Sequence, residues 1–279
     1  MNPQPALFIS HGSPMLVMED SPARRFLSGW SLRHPAPQAI LVVSAHWENR
    51  GDPAVSTAQL PVTVHDFGGF PPALYEIEYP APGAPQIAGL AINLLREAGY
   101  TVKETASRGL DHGAWAPLSL MFPAADIPVF QVSLITGGSP REHYRYGQAL
   151  QTLRNRGVLV IGSGSMTHNL YEFMGHDRED EAPDWVTEFE LWIDRALVDE
   201  RYEDLMNYRT LAPFARQNHP TDEHLLPLFF ALGAGGAGTK ATKIHSSHTY
   251  GVLSMNAYSF TADSAQFIAS AVSSEKTHD

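Results

Sequence analysis

Short apolar runs alternate with amphipathic helical patterns along this chain, and this alternation most constrains its fold. Aliphatic and β-branched residues form strand-like runs at Ala6–Ser10, Ala39–Ala45, Pro128–Ile135, Val158–Ile161 and Val252–Phe260. Strands that are apolar on both faces are typical of sheets that helices cover on both sides. The pattern therefore predicts an α/β fold, with one mixed, mostly parallel sheet covered by helices on both faces.

Helical patterns separate the predicted strands. Apolar residues recur at helical spacing in segments 85–98, 141–156 and 184–200, and Gly99 and Gly157 follow the first two. A further apolar helix follows Thr221, which we expect to act as its N-cap. We find neither repeats nor long linkers, so we expect a single domain over residues 1–279, with a tail that frays from about residue 273.

Composition excludes several classes of function. The 279 residues contain no cysteine, so any metal must bind to His, Asp or Glu. A formal net charge of -11 gives no basic surface for nucleic acid or anionic lipid. The sequence shows neither a targeting segment nor a membrane span, and we expect a cytoplasmic protein with small-molecule partners. Surplus aromatic residues such as Trp185 and Trp192 are compatible with a homo-oligomer.

Histidines follow three of the predicted strands. His11 and His46 come directly after the first two, and His168 lies a few residues beyond Val158–Ile161. One such histidine is more often a hydrogen-bonded turn residue than a ligand, but three repeated placements favour a common site. If the strands are parallel, all three imidazoles face the crevice at the carboxyl ends of the strands, where α/β proteins bind ligands.

Three more histidines lie in informative surroundings. His224 stands at the beginning of the buried helix predicted after Thr221, so it must contact the protein interior. His65 precedes Asp66, and His112 follows an aspartate in the glycine-containing sequence DHGAW. These residues extend the set of candidate site residues.

Seven motifs occur in a fixed order and identify a family resemblance. They are SHGSP at 10–14, VVSAHW at 42–47, HDFGGFP at 65–71, YPAPG at 79–83, DHGAW at 111–115, HNL at 168–170 and PTDEHLLPL at 220–228. The ordered set resembles the class III (LigB-type) extradiol ring-cleavage dioxygenases, in particular their 4,5-DOPA dioxygenase extradiol branch. The resemblance covers most of the chain, from about residue 6 to Leu253.

The resemblance implies a single metal ion per chain, Fe(II) or Zn(II), that acts on a catechol and O2. By this resemblance, His11, His46 and His224 are metal ligands. Glu223, next to His224, is the alternative third ligand, a carboxylate in place of an imidazole. His168 corresponds to the catalytic acid/base or to an additional metal ligand. His112 corresponds to a second catalytic group that faces the substrate.

The loop HDFGGFP would form the mouth of such a site. We expect His65, Asp66, Phe67 and Phe70 to bind substrate, although a loop packed only for its shape would have the same composition. A zinc-dependent hydrolase that uses the same histidines is the alternative function, and a protein that only binds a metal or small molecule is a third. The sequence leaves the identity of the catechol open.

Overall fold

The computed structural model describes residues 3–262, and an eight-stranded sheet forms its centre. The strands of the structure are β1 (Ala6–Ser10), β2 (Ala39–Arg50), β3 (Ala54–Ser56), β4 (Lys103–Thr105), β5 (Val129–Thr136), β6 (Val158–Gly164), β7 (Lys240–His245), β8 (His248–Thr249), β9 (Leu253–Ser254) and β10 (Ala257–Thr261). Strands β8 and β9 form a separate pair. The tail predicted to fray from about residue 273 lies outside the described residues.

The order of strands in the large sheet is β4-β3-β5-β2-β6-β1-β10-β7. The four central strands, β5, β2, β6 and β1, are parallel, whereas β10 pairs antiparallel with β1 and with β7. These central strands are buried along most of their length because helices cover both faces of the sheet. The predicted α/β fold with a mixed, mostly parallel sheet is confirmed.

Helices of the structure pack in two layers. They are α1 (Pro22–Ser28), α2 (Trp30–Arg33), α3 (Pro85–Glu97), α4 (His112–Met121), α5 (Pro140–Leu150), α6 (Asp184–Val198), α7 (Tyr202–Met206), α8 (Tyr208–Leu211), α9 (Ala215–Asn218) and α10 (Leu226–Gly235). Buried residues of α3, α5, α6 and α10 share one core with the side of the sheet that includes Phe8. Residues of α1, α2 and α4 share the other core with Leu7 and Ile9.

Three element boundaries differ from the sequence predictions. The predicted strand Val252–Phe260 is two strands, because β9 pairs with β8 whereas β10, after Met255 and Asn256, joins the large sheet. The helix predicted over 141–156 ends at Leu150 and continues as a 3-10 helix over Gln151–Arg156. The helix predicted to begin near Thr221 begins at Leu226, where Pro227 occupies the first turn.

Strand β2 continues past the point where the sequence predicts its end. It runs through His46 to Arg50, and its register with β5 shifts between Val43 and Glu48. The extra residues of β2 form a bulge, and bulges redirect side chains locally. His46 therefore lies in a bulge within a strand, not after the strand end as predicted.

The helices of residues 3–262 include none with the length and apolar character that a membrane crossing requires.

Candidate metal and catalytic site

The carboxyl ends of the central parallel strands bring the candidate histidines together. His11 follows β1, and its neighbour in the sheet, β6, leads into the loop that carries His168. The Nε2 atoms of His11 and His46 lie 3.0 Å apart. Ligand nitrogens of His11, His46 and His224 all lie within 4.8 Å of one another. Residues from distant parts of the chain thus converge on one point.

Hydrogen bonds determine which ring nitrogen of His11 carries the proton. The Ser163 hydroxyl donates to the Gly113 carbonyl at 2.5 Å, so its single proton is already used. Ser163 must therefore accept from Nδ1–H of His11, which lies 3.0 Å away. Nε2 of His11 keeps a free lone pair, and that lone pair is directed to the histidine cluster.

Glu223 orients His224 in the same way. An Oε1 atom of Glu223 lies 3.1 Å from Nδ1 of His224 and accepts a second hydrogen bond from the Thr221 hydroxyl at 3.0 Å. A carboxylate only accepts hydrogen bonds, so Nδ1 of His224 is the donor and Nε2 is free to bind a metal. Carboxylates commonly support metal-binding histidines from behind in this manner.

Asp66 lies behind two of the site histidines. Its Oδ1 accepts hydrogen bonds from the backbone N–H of His112 at 3.0 Å and from Nδ1 of His112 at 2.9 Å. Its Oδ2 lies 3.7 Å from Nδ1 of His46. Burial raises the pKa of Asp66, but the hydrogen bonds and charge of His112 outweigh burial and lower it to about 2. Asp66 is therefore a carboxylate at neutral pH.

The clustered histidines are held in the neutral form. Burial lowers the pKa of His11, His46 and His224, and the neighbouring imidazoles lower it further because they disfavour another positive charge. Metal binding requires unprotonated imidazole nitrogens. The cluster therefore offers three ligand nitrogens at pH 7 without first releasing protons.

The spacing of these nitrogens fits a metal ion. Two imidazole nitrogens that bind one zinc ion tetrahedrally lie roughly 3.3 Å apart, and the corresponding distance between His11 and His46 is 3.0 Å. Three histidines also leave further coordination positions for substrate. The Glu223 carboxylate accepts hydrogen bonds from His224 and Thr221. One of its oxygens also lies within 4.8 Å of ring nitrogens of His168 and His224.

His168 stacks on His224. Their ring centroids are 3.4 Å apart, and the ring planes are within 7° of parallel. The backbone N–H of His168 bonds to the Asn218 carbonyl at 2.9 Å, which fixes the loop after β6. Burial lowers the pKa of His168, and nearby Glu223 partly opposes this effect by stabilising the protonated ring. The ring is neutral at pH 7 and is able to accept a proton.

A cavity of about 450 Å³ opens beside the cluster. Five of the six candidate histidines line it, namely His11, His46, His112, His168 and His224, together with Gly12, Ser13, Pro14, Met15, Phe67, Phe70, Ser165, Leu170, Phe173, Tyr250 and Leu253. Phe67 and Phe70 are thus at the cavity, as the sequence suggests. His65 and Asp66 are not among the described residues that line the cavity. The His65 ring instead bonds through Nε2 to the Ile77 carbonyl at 3.1 Å.

The structure adds Ser44, Arg108 and Gln131, supporting residues around Asp111 that sequence reasoning did not identify. Ser44 donates to the buried carboxylate of Asp111 at 2.6 Å and accepts from the backbone N–H of His46 at 3.1 Å. Arg108 and Gln131 donate to the other oxygen of Asp111 at 2.5 and 2.9 Å. This network holds the bulge of β2. The helix-capping pattern at Asp111 was a visible signal for it, but nothing local marks Ser163.

Comparisons with known proteins show the family of this chain. Residues 5–261 match the family described as the catalytic LigB subunit of aromatic ring-opening dioxygenase. The chain is 43% identical to a 4,5-DOPA dioxygenase extradiol of Beta vulgaris, over 94% of this chain and 98% of the relative. A protein of the same name from Escherichia coli is 41% identical, over 82% of this chain and 84% of the relative.

A solved structure shows the same fold. The crystal structure of an uncharacterized protein from Escherichia coli K12 matches with a TM-score of 0.78 and 33% identity, covering 92% of this chain and 99% of the other. Enzymes of the matched family use a metal ion, and the histidine cluster is a possible site for one. The chain therefore belongs to the LigB family of aromatic ring-opening dioxygenases and is an extradiol oxidoreductase.

Proposed function

We propose that this protein opens the ring of a catechol beside its diol and inserts both atoms of O2. The observation that carries this proposal is the convergence of three neutral histidines, His11, His46 and His224, on one point at the wall of a cavity. In this proposal they hold one metal ion per chain. Fe(II) held there would supply the redox chemistry that the reaction with O2 requires, whereas Zn(II) has no redox chemistry.

His168 is the proposed acid/base. Its ring is parallel to that of His224 at a centroid distance of 3.4 Å. The lone pair of an imidazole nitrogen lies in the plane of its ring, so two rings stacked in this way do not direct their lone pairs to one point, and His224 is the one that would hold a metal ion. His168 is therefore assigned to accept a proton from the diol and to return it as the ring opens.

His112 is the proposed second catalytic group. Because Nδ1 of His112 donates to Asp66, Nε2 is the ring nitrogen that remains for a hydrogen bond with a hydroxyl of the substrate. Phe67 packs edge-on against the His112 ring at 5.6 Å, and both side chains line the cavity. The phenylalanine restricts the imidazole to this orientation and excludes water from one side of it.

Oxygen consumption tests the proposal. Protein reconstituted anaerobically with Fe(II) should consume O2 when a catechol is added, with the appearance of a yellow ring-opened product. The same protein loaded with Zn(II) serves as the control and should consume none. If neither form consumes O2 with any catechol, the proposed function is wrong, and hydrolysis of esters or amides by the zinc form becomes the activity to examine.

A further inference from the structure

The cavity has two chemically different parts. One part consists of the imidazoles, where the diol and O2 would react. The remaining side chains are mostly apolar, and the largest of them are Met15, Phe67, Phe70, Leu170, Phe173, Leu253 and the phenol ring of Tyr250. Phe67 packs against Phe70 with ring centroids 5.3 Å apart. A catechol bound by its diol at the histidines must place its ring substituent against this apolar part.

The side-chain polar groups in the apolar part are uncharged hydroxyls, those of Ser13, Ser165 and Tyr250. The Ser13 hydroxyl accepts a hydrogen bond from the backbone N–H of Met15 at 3.3 Å. The Ser165 hydroxyl donates its proton to the Thr167 carbonyl at 2.7 Å. A hydroxyl can still bond to an ammonium or a carboxylate but does not neutralise its charge, and a charge without an opposite charge is costly to bury.

Charges near the cavity disfavour an anionic substituent. The carboxylates of Asp66 and Glu223 lie directly behind the site histidines, so they repel an anionic group. Glu19 and Arg178 lie near the phenol of Tyr250, but with opposite charges, and Arg178 is paired with Glu179 at 3.4 Å. Of the residues between 3 and 262 that line the cavity, none is Asp, Glu, Lys or Arg.

Apolar surface is left open at the same place. Leu170 lines the cavity, yet it is 57% exposed, and the adjacent Tyr171 is 88% exposed. Phe173 packs on Tyr250 with ring centroids 4.5 Å apart. An alkyl or aryl substituent on the substrate would cover Leu170 and remove this apolar surface from water, which is a favourable contribution to binding.

We infer that the preferred substrate is a catechol that carries an uncharged hydrocarbon substituent, alkyl or aryl, and not one that carries an amino-acid side chain. The inference rests on the proposed ring-cleavage function and names the substrate class for that site. Cavity size agrees with it, since about 450 Å³ lies within the roughly 300–1,000 Å³ of pockets that hold substituted ring compounds.

The test compares catechols of similar size that differ in charge. Propylcatechol, dihydroxyphenylpropionate and L-DOPA are each supplied to the Fe(II)-loaded protein, and kcat/KM is measured by O2 uptake. Propylcatechol should exceed both charged compounds by about tenfold or more, because the pocket binds the chain and excludes the charge. Calorimetry with the Zn(II)-loaded protein under anaerobic conditions should rank the dissociation constants in the same order.

A charge introduced at the cavity should change this preference. L170R places a cation beside the apolar part and should raise kcat/KM for dihydroxyphenylpropionate relative to propylcatechol by about tenfold. L32R is the matched control, because Leu32 is 87% exposed on α2 and does not line the cavity. The control should leave the ratio unchanged.

Two outcomes separate the inference from the function on which it rests. Ring cleavage in which L-DOPA matches or exceeds propylcatechol overturns the inference and leaves the proposed function intact. Absence of O2 uptake and of binding with every catechol overturns both.

Discussion

Asp66 accepts two hydrogen bonds from His112, from its backbone N–H at 3.0 Å and from its ring Nδ1 at 2.9 Å. The pair fixes the tautomer of His112 as well as the direction in which the ring points. It connects the HDFGGFP loop, in which Asp66 is the second residue, to the beginning of α4. These two segments are far apart in sequence. The orientation of the proposed second catalytic group is thus set by a residue that does not line the cavity.

D66N tests this role of Asp66. An amide can present either its oxygen or its NH2 group to Nδ1, so both tautomers of His112 become accessible. We expect kcat to fall by about 10–100-fold, with a much smaller change in KM, in steady-state O2 uptake. D180N is the control, because Asp180 pairs with His176 at the surface at 3.2 Å. An unchanged kcat in D66N would contradict the role.

S163A should weaken metal binding. Ser163 accepts the Nδ1 proton of His11, and without it the ring loses the partner that keeps Nε2 unprotonated. We expect the dissociation constant for Zn(II) to rise by about 10–100-fold, measured by competition with a chromophoric chelator. S259A removes a buried hydroxyl on β10 for which the structure shows no hydrogen-bond partner, and it should bind Zn(II) as the wild type does. Equal affinities in all three proteins would refute the tautomer argument.

H168A and H46A should separate acid/base catalysis from metal binding. If His168 moves protons and His46 binds the metal, H168A should retain stoichiometric Fe(II) and lose most ring cleavage, by about 10²–10⁴-fold. H46A should lose both metal and activity. Metal content is measured by atomic emission on dialysed protein. Loss of metal from H168A comparable to the loss from H46A would instead identify His168 as a ligand.

His219 should make the fold sensitive to acid. It is fully buried, its Nε2 donates to the Met166 carbonyl at 2.9 Å, and burial lowers its pKa from 6.5 to about 4. The unfolded chain therefore binds a proton between these pH values that the folded chain does not, so the free energy of unfolding falls as pH falls from 6.5 towards 4. Below about pH 4 both states are protonated and the loss is complete.

H219Q measures this contribution, because glutamine keeps an N–H donor but does not titrate. Between pH 7 and pH 5, wild type should lose about 2 kcal/mol more of its free energy of unfolding than H219Q, in urea titrations of the metal-free proteins. Other buried histidines contribute equally to both proteins, so the difference isolates His219. Parallel losses in the two proteins would contradict the assignment.

Much of the site could be predicted because parallel strands impose a common direction. A histidine directly after β1 must lie at the carboxyl edge of the sheet, and this placement of His11 depends only on the pattern of apolar residues. His46 is different, because β2 continues beyond it through pairing with β5 alone. Single-strand patterns contain no information about that bulge, since it depends on the partner strand and on the buried Asp111.

Contacts between distant segments explain what the sequence did not reveal. Ser163 becomes important only because β6 lies next to β1, which places its hydroxyl against His11. His65 stands beside Asp66 in a glycine-rich motif, which made it a candidate site residue, but the fold of its loop directs the ring to the Ile77 carbonyl. Likewise, Pro227 determines where α10 begins, and His224 consequently lies in the turn before the helix instead of within its first turn.

The fate of the oxygen atoms tests the central claim most directly. Fe(II)-loaded protein is given a catechol under O2 labelled with a heavy oxygen isotope, and the product is reduced at once with borohydride so that the new aldehyde cannot exchange with water. The account predicts that mass spectrometry finds two labelled oxygen atoms in each molecule of ring-opened product. A product with one labelled atom or with none would contradict extradiol dioxygenation by this protein.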